Sequence, residues 1–163
     1  MSPHDPVAAN RRIQDNRVGG VGSLPSVSEH ADLEEGPALA IDFTKLTTIG
    51  ADGHQVVPVA VQDADTGEVL IVAYANDDAL AATLERGEAV FYSTSRHEIW
   101  HKGATSGDTL SIVDVRVNCE QNSLLYRVRP NGQGACHTKG DDGTARPGCY
   151  YRVISDTGDL AHL

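Results

Sequence analysis

The chain contains three cysteines, Cys119, Cys136 and Cys149, and all of them fall in its last third. Three thiolates can bind a zinc ion and leave its fourth position to a reactive water, whereas a structural zinc site usually has four protein ligands. The count therefore favours a hydrolytic zinc site. Three small apolar core residues explain the count equally well, so the neighbouring residues must decide between the two.

Two histidines lie next to residues with useful chemistry. His137 directly follows Cys136, and His101 directly follows Trp100. Imidazole titrates near neutral pH, which suits a proton carrier beside an activated water. A solvated loop histidine is an equally good interpretation of His137, and Trp100 fits either a core anchor or a residue that stacks on a base.

The polar run over residues 93–107 is rich in groups that bind anions. Its hydroxyl and cationic donors are Ser93, Ser95, Arg96, Lys102, Thr105 and Ser106. Gly103 and Gly107 allow the backbone to approach an anion closely. These residues favour a phosphate site, although a solvated serine-rich loop is the alternative, and no P-loop or dinucleotide-binding glycine pattern is present.

Oxygen-bearing side chains alternate with a cysteine over residues 118–122. On a strand, Asn118, Glu120 and Asn122 share one face and Cys119 points to the other. The oxygen face suits a hard cation such as magnesium, and the thiol face suits zinc. Ordinary hairpin-turn chemistry is the more frequent meaning of such a segment.

The elements that must position these residues are mostly strands. Valine-rich residues 56–61, the turn residues 63–67 and the apolar run 68–74 predict a β-hairpin, with Pro58 at a strand start or an edge. Further strands are predicted over 89–92, 110–119, 123–128 and 149–154. With its hairpin-linked strands and one or two helices, the chain is predicted to be α+β and mostly antiparallel.

One helix is predicted with both of its ends. Asn76 is the predicted N-cap, and the helix stops at Arg86, followed by Gly87. Leu80 and Leu84 lie on one face of this helix, so we expect that face to pack against the hairpin.

Composition limits the class of protein. The 163 residues, 40% of them hydrophobic, suffice for one domain. We place it at residues 39–163, after an extension over 1–38 that is predicted to be disordered because it has no helical or strand period. A formal charge of -10 argues against a nucleic-acid surface. Three unpaired cysteines and the lack of a signal-peptide or membrane-spanning stretch predict a cytoplasmic protein.

Several motifs then resemble a known family. The chain reads VQDADTGEVL over residues 61–70, AYAN over 73–76, Ser95-Arg96, and WHKGATSG over 100–107. In this order they resemble phosphoribosyl-AMP cyclohydrolase, the ring-opening enzyme of histidine biosynthesis, from about residue 43 to residue 152. The octet is the most specific of the four motifs.

The resemblance implies an obligate homodimer with a zinc site at the subunit interface, formed by Cys119, Cys136 and Cys149. It implies that a zinc-activated water attacks C6 of the N1-ribosylated adenine and that the N1–C6 bond then breaks. The predicted catalytic residues are His137, as proton carrier, and His101, as a site or substrate-orienting residue. The predicted substrate-binding residues are Ser95, Arg96, Trp100, Lys102, Thr105 and Ser106, with Arg96, Lys102, Thr105 and Ser106 on the two phosphates.

Two departures from the family pattern stand out. The family carries three aspartates that bind magnesium where this chain has Asn118, Glu120 and Asn122, so we expect magnesium to bind more weakly. Residues 139–147 look inserted between the last two cysteines. These departures motivate two further hypotheses: a diverged paralogue that hydrolyses another purine nucleotide, and a non-catalytic zinc-stabilised dimer that binds nucleotides or a protein.

Overall fold

The computed structural model describes residues 27–39, 41 and 43–163 of the chain. Its helices are α1 (Val27–Glu35), α2 (Lys45–Ala51) and α3 (Asp77–Arg86). Its strands are β1 (Val57–Asp63), β2 (Val69–Ala75), β3 (Val90–Ser93), β4 (Glu98–His101), β5 (Leu110–Val117), β6 (Leu124–Pro130), β7 (Arg152–Ile154) and β8 (Leu160–His162). The predicted α+β class is confirmed, although three helices occur in the described ranges where one or two were predicted.

Four strands form the main sheet, in the order β2-β1-β6-β5. The β1–β2 and β5–β6 pairs are antiparallel hairpins, as predicted, and a parallel β1–β6 pair joins them. The core lies against this sheet, with Val61, Phe91, Tyr126 and Val128 fully or almost fully buried. β2 and β5 are therefore the two opposite edges of the sheet.

Pro58 lies near the start of a central strand, not on an edge. It pairs with Tyr74 of β2 on one side, while the parallel pairing with β6 begins only at Val59. Proline lacks a backbone N–H and is tolerated where no ladder bond needs it. The strand-start prediction is thus confirmed and the edge prediction is wrong.

Helix α3 has the predicted ends. The side chain of Asn76 accepts a hydrogen bond from the backbone N–H of Ala79 at 2.9 Å. Gly87 is left-handed, with φ of 67°, and its N–H donates to the carbonyl of Thr83 at 3.0 Å. Both caps satisfy backbone groups that a helix end would otherwise leave without partners.

The buried face of α3 differs from the prediction. Ala79 and Thr83 have no exposed surface, whereas Leu84 is 63% exposed and Leu80 is half-buried. The hydroxyl of Thr83 accepts a hydrogen bond from the N–H of Val90 at 3.0 Å. The same hydroxyl also lies 3.0 Å from the carbonyl oxygen of Val90. This contact brings helix and strand so close that small side chains fill the interface and Leu84 faces away.

The polar run contains a strand that the sequence did not predict. β4 pairs with β3, and Trp100 lies opposite the buried Phe91 with ring centroids 5.6 Å apart. Glu98 and Ile99 of β4 are exposed. An exposed strand carries no alternating pattern strong enough to be recognised among polar neighbours.

Part of the predicted extension is helical and docks on the C-terminal part of the chain. The hydroxyl of Tyr151 donates to the carbonyl of Glu34 at 2.7 Å, and Arg146 bonds Glu35 at 2.9 Å. Polar contacts thus attach the last turn of α1 to the C-terminal part of the chain, and such contacts leave no hydrophobic period in the sequence. Residues 1–26 of the predicted extension lie outside the described residues. No helix in the described part of the chain is long and apolar enough to cross a membrane.

Candidate active site

Two of the three cysteines meet at one site. The segment that looked inserted, residues 139–147, folds back as a narrow finger in which Cys136 N–H donates to the carbonyl of Arg146 at 3.1 Å. Cys149, just beyond the finger, donates its N–H to the carbonyl of Leu70 in β2 at 2.7 Å. The finger therefore turns a long sequence separation between Cys136 and Cys149 into a close approach.

The environment of Cys149 makes its ionisation costly without a cation. The side chain of Cys149 is exposed in part, but its thiol lies against protein atoms beside Cys136. Burial, and then the neighbouring Cys136, raise the pKa of Cys149 to about 12, while Lys102 acts in the opposite direction. Two thiols in such contact form the kind of donor set that a soft or borderline metal ion binds as thiolates.

Cys119 is not part of this pair. It follows the end of β5 and is exposed, while Cys149 bonds to β2 at the opposite edge of the sheet. Neighbouring strands lie about 4.8 Å apart, so three spacings separate β5 from β2 by roughly 14 Å. Two sulfurs on one zinc ion lie within about 5 Å of each other. Accordingly, no group of three histidine, cysteine or acidic residues within the described chain is close enough to hold a metal.

The paired thiols line a pocket of about 410 Å³. The predicted site residues on its wall are Trp100, His101, Lys102, Thr105, Ser106, Cys136, His137 and Cys149. Pockets of roughly 300–1,000 Å³ are the usual size for small-molecule sites. The structure thus brings together most of the residues that the sequence singled out.

Lys102 is buried next to the thiols. It is 6% exposed, and its ammonium group donates to the carbonyl oxygen of Asp108 at 2.9 Å. Burial lowers the pKa of Lys102, and Asp108, Cys149 and Cys136 partly counteract that effect. The ammonium group of Lys102 therefore lies near the two cysteines that line the same pocket.

His101 is held by a carboxylate. Its Nε2 lies 2.8 Å from Glu88 Oε2, and the other carboxylate oxygen of Glu88 accepts a hydrogen bond from the hydroxyl of Thr109 at 2.9 Å. The side chains of His101 and Glu88 are both partly buried. This chain of hydrogen bonds fixes the orientation of the imidazole at the pocket wall.

His137 is exposed and is likewise paired with a carboxylate. Its Nε2 lies 2.7 Å from Glu34 Oε1, and the His137 side chain is 76% exposed. The preceding residue, Cys136, is buried, and its sulfur lies 3.1 Å from the hydroxyl of Thr138. The chain therefore alternates here between a sulfur facing inward and an imidazole at the pocket mouth.

A second pocket, of about 440 Å³, opens on the other side of Trp100. Ser95 and Arg96 line it, and it shares Trp100 and His137 with the thiol pocket. Arg96 pairs with Glu98 at 3.1 Å and lies 6.0 Å from the centroid of the Trp100 ring. The predicted anion-binding residues thus divide into two groups, one on each side of the tryptophan.

The first group is carried by the tight turn over residues 103–107. Thr105 and Ser106 are exposed on the turn, and the Ser106 hydroxyl accepts a hydrogen bond from the N–H of Asp108 at 3.3 Å. Gly103 has φ of 79°, and a Cβ there would collide with the backbone of Asp108. Glycine at this position lets the turn close over the pocket.

The three predicted magnesium ligands do meet, at the tip of the β5–β6 hairpin. The side-chain oxygen of Asn118 accepts hydrogen bonds from the N–H groups of Asn122 and Ser123 at 2.9 and 3.0 Å. The side-chain nitrogen of Asn118 donates to Asn122 Oδ1 at 2.7 Å. The side-chain nitrogen of Asn122 donates to Glu120 Oε2 at 3.0 Å. The network uses both lone pairs of the Asn118 oxygen.

Sequence reasoning missed four residues of this site: Glu34, Glu88, Asp108 and Thr138. Each acts through a predicted residue, as a partner of His137, His101, Lys102 or Cys136. Thr138 had a signal, since a hydroxyl two residues from a cysteine can reach its sulfur. Glu34 had none, because 103 residues separate it from His137.

The pocket combines paired thiols, two imidazoles held by carboxylates and hydroxyl groups on both sides of an aromatic ring. On an α+β scaffold, this combination is typical of an enzyme that uses a metal ion and a proton carrier on a small anionic substrate.

Comparison with known proteins identifies the family within this class. Residues 71–151 match the family model described as phosphoribosyl-AMP cyclohydrolase. Phosphoribosyl-AMP cyclohydrolase of Rhodopseudomonas palustris (strain TIE-1) is 42% identical over 130 residues, which are 80% of this chain and 77% of the relative. The Caulobacter vibrioides (strain NA1000 / CB15N) protein of the same name is 41% identical over 82% of this chain and 86% of its own length. That of Haloarcula marismortui is 46% identical over 63% of this chain and 80% of its own length.

The chain belongs to the phosphoribosyl-AMP cyclohydrolase family. The predicted family and the predicted enzyme class, a hydrolase, are thereby confirmed. The roles assigned to individual site residues stay predictions.

Proposed function

We propose that this protein hydrolyses phosphoribosyl-AMP, a step of histidine biosynthesis, by opening the adenine ring between N1 and C6. One observation carries the proposal: the thiol pair, His101 and His137 surround Trp100, and anion-binding groups lie on both sides of that ring. A nucleotide with one phosphate at each end of a purine matches this arrangement. The relatives that bear the same name support the choice of substrate.

The thiols fit a zinc ion. Cys136 and Cys149 already lie together, and burial beside Cys136 disfavours the thiolate form of Cys149 unless a cation is present. Cys119 supplies the third thiolate from a second copy of the chain, because the sheet keeps it away from the pair in its own chain. We therefore propose a homodimer with a shared zinc site. When bound, zinc lowers the pKa of a water so that it becomes nucleophilic at neutral pH.

The two flanks of Trp100 hold and orient the substrate. The indole stacks on the purine, since every base offers a π-face to an aromatic side chain. Ser95 and Arg96 bind one phosphate in the second pocket, and Thr105 and Ser106 bind the other beside the thiols. Lys102, fixed by the Asp108 carbonyl, adds positive charge beneath the ring. Fixing both ends places C6 over the thiol pair and limits the orientations that the purine can sample.

Hydrolysis requires one proton to move from the water at C6 to N1, the neighbouring ring atom. The attacking water forms the new C6–O bond and gives up a proton, the N1–C6 bond breaks, and N1 accepts a proton, so that a whole water is added. His137 carries this proton between the two atoms. His101, held by Glu88 at 2.8 Å, keeps the purine and its amino group in position.

Magnesium does not fit the β5–β6 hairpin of this chain. One carboxylate remains there, and the two amide oxygens accept hydrogen bonds within the hairpin. Coordination of a hard cation would require these bonds to break without the compensating charge of further carboxylates. We therefore propose that the hairpin is held by its own hydrogen bonds and that turnover needs no magnesium at this place.

Product formation from phosphoribosyl-AMP by the purified zinc-loaded protein tests the proposal, followed by the ultraviolet change on ring opening. We expect turnover, and we expect Cys136→Ser to abolish it. AMP, which lacks the second ribosyl phosphate, is the control substrate and should not react. A folded, zinc-loaded dimer that leaves phosphoribosyl-AMP intact would refute the activity. Hydrolysis of another purine nucleotide would then support the paralogue, and nucleotide binding without turnover would support a binding protein.

A further inference from the structure

We infer that Glu34 is a positioning residue for His137, delivered to the active site by the N-terminal helix α1. The inference rests on the proposed function, in which His137 carries the proton. The Glu34 carboxylate lies 2.7 Å from His137 Nε2. An ionised carboxylate only accepts, so Nε2 carries the hydrogen and Nδ1 keeps the free lone pair. Glu34 thereby selects which ring nitrogen can receive a proton.

Backbone contacts fix the position of Glu34. The hydroxyl of Tyr151 donates to the Glu34 carbonyl at 2.7 Å. Arg152 donates to the carbonyls of Leu33 and Gly36 at 2.8 and 3.1 Å. Three carbonyls around the last turn of α1 are thus bound by side chains from the C-terminal part of the chain. The carboxylate therefore approaches His137 from a fixed support.

His137 needs such a partner because its side chain is 76% exposed on a loop. An exposed imidazole has several rotamers available, and a proton carrier must hold one of them against the substrate. A carboxylate that orients an imidazole base is a recurring solution to this problem. A mere surface ion pair, by contrast, would leave turnover unchanged.

The second histidine of the pocket shows the same arrangement. His101 Nε2 lies 2.8 Å from the carboxylate of Glu88, which is 13 residues away in the chain. Glu34 performs the equivalent task for His137 from a separation of 103 residues. Glu34 also precedes residues 71–151, the part that matches the family model. The N-terminal segment thus adds a functional residue from outside the matched part of the chain.

The test compares Glu34 with its neighbour on the same helix. Glu35 pairs with Arg146 at 2.9 Å instead of with the histidine, so Glu35→Gln is the matched control. We expect Glu34→Gln and Glu34→Ala to lower kcat roughly tenfold to a hundredfold, with KM nearly unchanged, because the ring loses its orientation and not its substrate contacts. Glu34→Asp should restore part of kcat, and Glu35→Gln should keep the wild-type value.

A second readout does not depend on turnover. Nitrogen-15 NMR of the His137 ring reports which nitrogen carries the hydrogen, and we expect the Nε2–H form in the wild type and in Glu35→Gln. In Glu34→Ala both tautomers should appear. A wild-type kcat in Glu34→Ala, or a His137 tautomer that this substitution leaves unchanged, overturns the inference. Failure of the wild type to hydrolyse phosphoribosyl-AMP overturns the proposed function, and the NMR result then decides the positioning role by itself.

Discussion

Exchange of subunits between two inactive variants should restore activity if the metal site is shared. Cys119→Ser removes the thiol at the β5 edge, and Cys136→Ser removes one of the paired thiols beside β2. Each homodimer then lacks a ligand in both of its sites. In a mixed dimer, one site receives Cys119 from the Cys136→Ser chain and the intact pair from the Cys119→Ser chain. That site has all three thiols, and the other site has lost two.

The structure sets the size of the recovery. The roughly 14 Å between β5 and β2 excludes a complete site within one chain. Random exchange makes about half of the dimers mixed, and each mixed dimer has one intact site of two, so about a quarter of the wild-type specific activity should return. A mixed dimer purified through two different tags should reach about half.

The assay is the ultraviolet change on ring opening, together with zinc content per dimer. A mixture of Cys119→Ser with Cys119→Ala is the control, because neither chain can supply the missing thiol and no activity should return. Purified mixed dimers that bind no zinc and show no turnover, when wild-type dimers exchanged in the same way stay active, would refute the shared site.

Three further predictions concern cations, packing and pH. After chelation, zinc alone should restore turnover, and strict dependence on added magnesium would contradict the hydrogen-bonded hairpin at Asn118. Thr83→Val should lower the free energy of unfolding by about 1–3 kcal/mol, measured with a denaturant, because it leaves the buried N–H of Val90 without a partner. Thr83→Ser keeps the hydroxyl and should lower this free energy by less. Equal losses in the two variants would contradict this account. Arg116, and also Arg127, hold the pKa of Asp114 below its ordinary value of 3.8. The ion pairs of Asp114 therefore stabilise the fold above pH 3.8, and this contribution is lost as pH falls through the lowered pKa. Asp114→Asn should therefore weaken the dependence of the free energy of unfolding on pH in acid. An unchanged pH dependence would show that the two arginines contribute nothing to stability through Asp114.

Local elements followed from the sequence because neighbouring residues determine them. Asn76 and Gly87 define the ends of α3 through hydrogen bonds within one turn of the helix. The β1–β2 turn is similar, since the Asp63 side chain accepts hydrogen bonds from the N–H groups of Asp65 and Thr66 at 2.8 and 2.9 Å. Such contacts span few residues, and their residue types can be recognised without knowledge of the fold.

The face of α3 that is buried could not be determined in the same way. Leu80 and Leu84 were the apolar candidates, yet Thr83 is buried because its hydroxyl bonds β3. β4 and α1 also escaped prediction. Their stability comes from pairing with β3 and from polar contacts with the C-terminal part of the chain, and neither leaves a hydrophobic period.

By itself, the sequence determined which chemistry is present: three thiols, two histidines and a run of anion-binding residues in an α+β chain. Only the tertiary structure decided how they are arranged. The finger brings Cys136 to Cys149, the order of strands removes Cys119 to the opposite edge, and α1 carries Glu34 to His137. The physical reason is that these contacts join residues far apart in the chain, and packing of the whole domain, which no local pattern encodes, fixes their geometry.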